Sequence, residues 1–169
     1  GDNHIQQIAF ADFKNDLIWI KITASQPLDI DISLHRKENA ITSYKSNKII
    51  LSGTLPNNDI QGMQFASVID IQTDGNLQNT TSATSIQKAK EIVLKISATT
   101  NYDFTKGGLT QDDVLQKANH YLQKTTIPFD KAIIENQKAY QVFFNRNRWY
   151  SEANTDTSSL STFERLQRF

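Results

Sequence analysis

From Ile5 to about Tyr102 the chain alternates apolar and polar residues with a period of two, which suits a pleated strand with one dry face and does not suit a helix. Leu28-Asp29-Ile30-Asp31-Ile32-Ser33-Leu34 is the cleanest case. Leu17–Thr23 puts Ile18, Ile20 and Ile22 on one side and Leu17, Trp19, Lys21 and Thr23 on the other. Further strands are expected at Lys48–Thr54, Met63–Gln72 and Glu91–Thr99, the last with Ile92, Leu94, Ile96 and Ala98 inward and Lys95 and Ser97 outward. Residues that favour turns separate them: Ser25-Gln26-Pro27, Leu55-Pro56-Asn57-Asn58-Asp59 and Thr73-Asp74-Gly75-Asn76. The Thr-, Ser- and Asn-rich run Asn76–Ser85 is expected to be a loop. Short strands in series with one apolar face predict an antiparallel β-sandwich over residues 1–105.

The pattern changes after Tyr102. Lys106-Gly107-Gly108 interrupts the chain, and Thr110-Gln111-Asp112-Asp113 supplies a helix start, with Thr110 as the cap and two carboxylates at the positive end of the dipole. Val114, Leu115, Ala118, Tyr121 and Leu122 then recur at helical spacing. Pro128 opens a second helix whose buried side is expected to hold Ile133, Tyr140, Phe143, Phe144 and Asn147. Ser161-Thr162-Phe163-Glu164 has the form of a capping box and starts a third, on which Leu160, Phe163, Leu166 and Phe169 form an apolar stripe. Residues 106–169 are therefore expected to be a helical linker of two to three helices. The stripe suggests a larger parent protein, or alternatively a short terminal helix docked on the sandwich.

Composition removes several classes of function. The 18 basic and 18 acidic residues cancel, so nothing draws the chain to nucleic acid or an anionic membrane. There is no cysteine, which excludes disulfides, thiolate catalysis and Cys-ligated zinc. No stretch approaches the roughly 20 apolar residues of a membrane span. The opening Gly1-Asp2-Asn3-His4 has no leader pattern, as expected of a cytoplasmic chain or of the interior of a longer one.

Catalytic patterns are missing too. His4, His35 and His120 are far apart and lack metal-ligand spacing. Asp70, Gln72 and Asp74-Gly75 resemble half of a calcium loop, but the twelfth position is Thr81 rather than Glu. Asp112 and Asp113 are adjacent, whereas glycosidic cleavage needs two carboxyls facing each other roughly 5 to 9.5 Å apart. Neither a metal nor a cofactor is expected. The densest polar–aromatic cluster is Arg146, Arg148, Trp149 and Tyr150, where aromatic rings beside guanidiniums suit stacking on a sugar and donation to its hydroxyls. Packing of the second helix against the sandwich, with the Arg heads solvated or paired, is the reading these residues favour over it.

The order of segments carries a resemblance. Ile8–Phe13 leads to Asp16-Leu17-Ile18-Trp19-Ile20-Lys21-Ile22, then Leu28–Leu34, Gly62-Met63-Gln64-Phe65, Thr73-Asp74-Gly75 and a strand ending Ser97-Ala98-Thr99-Thr100-Asn101-Tyr102. Tyr140–Arg146 and Thr162-Phe163-Glu164-Arg165-Leu166 follow. This sequence resembles the N-terminal domain of glycoside hydrolase family 95, the α-L-fucosidase and α-L-galactosidase group. It departs from that pattern at Asn136-Gln137-Lys138-Ala139-Tyr140 and at Thr162–Leu166. The resemblance implies part of a β-supersandwich lacking some N-terminal strands, a helical linker, and an (α/α)6 catalytic barrel beyond residue 169 as the partner. It also implies a periplasmic or extracellular parent. No catalytic residue is carried over. On this reading the chain is a non-catalytic domain bracing the barrel, the alternatives being a carbohydrate-binding module, using Trp19, Tyr44, Trp149 and Tyr150 as a stacking platform, or an assembly domain.

Overall fold

The computed structural model describes residues 2–57, 62–147 and 161–166. The strands are β1 (Ile5–Asp12), β2 (Leu17–Ile32), β3 (Ala40–Lys45), β4 (Lys48–Thr54), β5 (Gln64–Thr73), β6 (Asn76–Asn79) and β7 (Thr84–Thr100). They form one seven-stranded sheet in the order β1-β2-β7-β5-β4-β3, with β6 also paired to β7. Every pairing is antiparallel. A two-stranded ribbon, β8 (Tyr102–Asp103) and β9 (Gly108–Leu109), leads to α1 (Val114–Lys124) and α2 (Phe129–Phe144), and α3 is Thr162–Leu166. Among the described residues no helix is long and apolar enough to cross a membrane.

Two of the expected turns are β-bulges instead. Ser25-Gln26-Pro27 lies inside the continuous β2, where the register against β7 shifts between Thr23 and Leu28. Thr73-Asp74-Gly75 joins β5 to β6, and both pair with β7 on the same side. Bulges and turns draw on the same residues, which is why composition did not separate them. The expected loop at Asn76–Ser85 accordingly begins as strand β6, and its turn is confined to Thr80–Ala83, closed by Thr80 N–H donating to Ala83 O at 2.9 Å.

The bulges lie at one level across three neighbouring strands and are tied together. Asp74 Oδ1 accepts the backbone N–H groups of Lys90 (3.0 Å) and Glu91 (2.9 Å). Asp29 Oδ1 accepts that of Lys88 (2.8 Å), a non-glycine residue at φ +57°. A Cβ on Gly75 would stand 2.6 Å from Gln87 O, so only glycine lets the strands approach. Each bulge sharpens the local twist and bend, and the sheet folds over its own inner face. Ile32 and Ile86 beyond the bend pack with Ile49, Ile69, Ile71, Ile92 and Leu94 before it, which makes the two layers of the sandwich from one sheet.

The backbone N–H of Glu91, followed by that of Lys90, holds the Asp74 carboxyl below its ordinary value of 3.8. A carboxylate lowered by folding contributes stability above its unfolded pKa and loses it as pH falls through the folded value. Asp74→Asn retains an acceptor but cannot titrate. Its urea midpoint is expected to fall at neutral pH, and the gap to the wild type to close below the ordinary carboxylate value. A gap that stays constant with pH would remove Asp74 as a contributor to acid sensitivity.

The outer face packs under the helices. Leu17, Trp19, Val68 and Val93 meet Ala118, Leu122, Phe129 and Ala132 in a second core. The cap of α1 is Asp113, whose Oδ1 accepts Leu115 N–H (2.9 Å) and Gln116 N–H (3.0 Å). Thr110 was expected in that role, but its hydroxyl donates instead to Asn101 O (3.1 Å), fastening the end of the ribbon. The helix-facing positions expected for α1 hold: Val114, Ala118 and Leu122 are buried, with Leu115 and Tyr121 partly so.

Lys95 and Ser97 are not outward-facing. Both lie on the side that α1 covers, and Lys95 is 8% exposed. Its Nζ donates to Leu122 O (2.9 Å) and Thr125 O (3.0 Å), two carbonyls that the end of α1 leaves without helical partners. Lys95 and Thr99, whose hydroxyl donates to Val114 O (2.7 Å), are thus buried with acceptors supplied by the helical segment, whereas the Ser97 hydroxyl is buried without a partner among the described residues.

Candidate functional site

Among the described residues, Trp19 and Tyr44 of the expected stacking platform do not share a face. Trp149, Tyr150 and Arg148 lie outside the described residues. Arg146 is exposed, with its guanidinium 5.0 Å from the centre of the Phe143 ring. Trp19 is 1% exposed and cannot stack on a sugar, since α2 lays Phe129 against its ring at 6.1 Å. Tyr44 is half-buried and packs on the inner core, so the sheet separates it from Trp19.

The carboxylates serve the fold. Asp112 and Asp113 flank the start of α1, where Asp113 is the cap. Asp29 and Asp31 lie on one strand, the first holding the Lys88 bulge and the second accepting the Ser85 hydroxyl at 2.5 Å. Asp70 Oδ1 accepts Asn47 Nδ2–H (2.8 Å), and Asp74 Oδ1 accepts the bulge N–H groups of Lys90 and Glu91. Asp12, buried, accepts Trp19 Nε1–H at 3.3 Å together with the backbone N–H groups of Lys14 and Asn15. Among the described residues no three His, Asp or Glu side chains group to hold a metal ion.

The surface that stands out is on α2, and sequence periodicity placed it on the wrong side. Tyr140, Phe143 and Phe144 were expected to be buried, but the buried residues of α2 are Phe129 and Ala132 in its first turn. That end is held by several contacts. Phe129 meets Phe10 edge-on at 5.4 Å, Lys21 Nζ pairs with Asp130 (3.2 Å) and Glu91 (3.1 Å), and Asn136 Oδ1 accepts Phe13 N–H (2.9 Å). Burial draws the Lys21 ammonium down, but hydrogen bonds and charge from Glu91 and Asp130 outweigh it and leave its pKa raised. Beyond Asn136 the helix runs past the sheet. Ile134, Tyr140, Val142, Phe143 and Phe144 are exposed, Phe144 at 64%, and Phe13 touches Phe143 at 5.2 Å between ring centres.

The third helix begins as its capping box requires: Glu164 Oε2 accepts Ser161 N–H at 2.8 Å, and Ser161 Oγ accepts Glu164 N–H at 3.4 Å. Phe163 and Leu166 on it are exposed, while Leu160 and Phe169 of the expected stripe lie outside the described residues.

A bent antiparallel sheet folded into two layers, carrying a helix with an exposed apolar end, defines a β-sandwich domain with C-terminal helices. Residues 1–105 match the family model of the glycosyl hydrolase family 65 N-terminal domain, and the chain belongs to that family. No curated protein matches the sequence. The match supports the broad expectation of a glycoside hydrolase N-terminal domain and carries no sugar preference.

Proposed function

We propose that this domain braces the catalytic barrel of a larger glycoside hydrolase, of the kind that removes terminal α-L-fucose or α-L-galactose, and that the far half of α2 is the bracing surface. The observation that carries this is the contrast along α2. Its first half is fixed to the sheet by packing, an ion pair and a hydrogen bond, while its second half presents four large apolar side chains to solvent within five residues, from Tyr140 to Phe144. A rigid arm with an uncovered apolar tip suits a permanent interface inside one polypeptide. The segment order described above supports the fucosidase-like type.

The purified chain is expected to leave aryl α-L-fucosides and α-L-galactosides intact, and turnover by it would overturn the proposal. The double variant Phe143→Asp/Phe144→Asp is expected to melt within about 2 °C of the wild type as an isolated chain, since neither ring is buried. The same variant in the full-length enzyme is expected to lose most of its activity or soluble yield. Full activity there would show that α2 is not the brace. Titration calorimetry with fucosylated oligosaccharides tests the alternative, a sugar site around Arg146, Arg148, Trp149 and Tyr150, and heat from binding would favour it.

A further inference from the structure

Three neighbouring strands carry a row of charge on the face that α1 covers. Lys48 of β4 stands opposite Asp70 of β5, and Asp70 stands opposite Lys95 of β7. The residues beside them, Ile49, Ile69, Ile71 and Leu94, fill the inner core, so alternation sets the charged row on the outer face. Cross-strand neighbours of opposite sign ordinarily attract. Yet among the described residues neither lysine has a carboxylate within ion-pair distance.

The partners they have are neutral. Lys48 Nζ donates to Asn119 Oδ1 (3.1 Å), Lys95 Nζ donates to the two carbonyls at the end of α1, and Asp70 Oδ1 accepts from Asn47. A buried lysine is rarely left with neutral acceptors alone. Burial lowers the pKa of Lys95, and Asp70 offsets only part of that.

Between this row and the connection from α1 to α2 lies a cleft of about 520 Å³, within the roughly 300–1,000 Å³ of small-molecule sites. Its walls set two ammoniums against one carboxylate, which leaves it positive. Gln72, Gln123 and Thr126 are exposed along it and offer amide and hydroxyl groups. Thr125, 5% exposed, lines it too, and its hydroxyl has no hydrogen-bond partner among the described residues.

We propose that this cleft binds a sugar acid, a small polyhydroxy ring bearing one carboxylate. The carboxylate meets Lys48, which keeps two N–H bonds after Asn119 is served. Lys95 adds its charge from the buried side, where a low dielectric strengthens it. The hydroxyls meet Gln72, Gln123 and Thr126. A neutral sugar leaves both ammoniums unanswered, a bare carboxylate leaves the amides and hydroxyls unused, and Asp70 disfavours a second negative charge. The cleft is built by β4, β5, β7 and the α1–α2 connection, not by the far half of α2, so the site does not depend on the bracing role.

Titration of the purified chain with D-glucuronate, followed by proton–nitrogen correlation spectra, tests this, with D-glucose and acetate as controls. Glucuronate is expected to shift the amides of Gln72, Gln123 and Thr126 and to saturate in the millimolar range. Each control is expected to bind at least about tenfold more weakly, having lost either the charge-assisted contact or the hydroxyl contacts. Lys48→Met is expected to weaken glucuronate by at least about tenfold while melting within about 2 °C of the wild type. Gln72→Ala is expected to weaken glucuronate several-fold and to leave acetate unchanged. Absence of shifts up to tens of millimolar glucuronate would overturn the proposal. So would glucose binding as tightly, which makes the charge irrelevant, or acetate binding as tightly, which makes the cleft a site for an adventitious ion only. Glucuronate affinity unchanged in Lys48→Met would place the binding elsewhere and overturn it as well.

Discussion

Trp19→Ala is expected to destabilise the domain by about 3–5 kcal/mol, the cost of deleting a large buried aromatic whose site cannot collapse. The indole lies stacked on Phe10 at 6.3 Å and edge-on to Phe129 at 6.1 Å, under the Lys95 ammonium at 5.6 Å. Each neighbour belongs to a different element, so a void there is lined by β1, β7 and α2 together. The loss is a large share of the roughly 5–15 kcal/mol a domain has, and the melting temperature is expected to drop by about 10 °C. Trp19→Phe keeps much of the volume but leaves Asp12 without its indole donor, and an intermediate loss is expected. Urea unfolding of the three proteins checks the order. Equal stability of Trp19→Ala and the wild type would mean that the helices do not seal the outer face.

Lys95→Met is expected to cost about 2–3 kcal/mol, although methionine is the more apolar side chain, because Leu122 O and Thr125 O lose their donor while still buried. Hydrogen exchange is expected to quicken at the end of α1 more than in β5 and β7. The pH dependence separates this cause from simple packing. Burial is the main influence on Lys95 and holds its ammonium below the ordinary 10.5, partly opposed by Asp70 across the strand pair. Between the folded pKa and 10.5 the native state binds fewer protons than the unfolded chain, so stability rises with pH through that window. Lys21 acts in the opposite sense, its stabilisation being lost as pH rises through its raised folded value. Lys95→Met is expected to abolish the rise while leaving the Lys21 loss. Parallel profiles for wild type and variant would rule out the buried ammonium as their source.

The strands were legible wherever one face is dry. Lys48–Thr54 coincides with β4, and Glu91–Thr99 falls within β7. Continuity was less legible. Pro27 and Asp74-Gly75 mark breaks in one reading and bulges in the other, and only pairing with β7 decides between them. β3 went unread because Ala40–Lys45 is largely half-buried, with no clean alternation. Facing was least legible. Lys95 and Ser97 look solvent-facing until α1 is placed over them, and Trp19 looks like a sugar platform until Phe129 meets its ring. On α2, helical spacing identified an apolar set but could not say that the sheet ends before that set does. The carbohydrate cluster was placed mostly at residues outside those described, with Arg146 beside Phe143 as its described part.

The position of β7 in the chain also determines when the sheet can form. β7 bridges β2 on one side and β5 with β6 on the other, yet it is the last strand of the sheet to be made. As the polypeptide leaves the ribosome, β1–β2 and β3–β4–β5 can each zip locally, but they remain two unjoined flaps until Thr84–Thr100 emerges. Each flap then has a long open side with no partner within reach, which is the stage at which nascent chains pair wrongly. Slowed translation before Thr84 would prolong that exposure, whereas a pause after Thr100 would leave the sheet already closed.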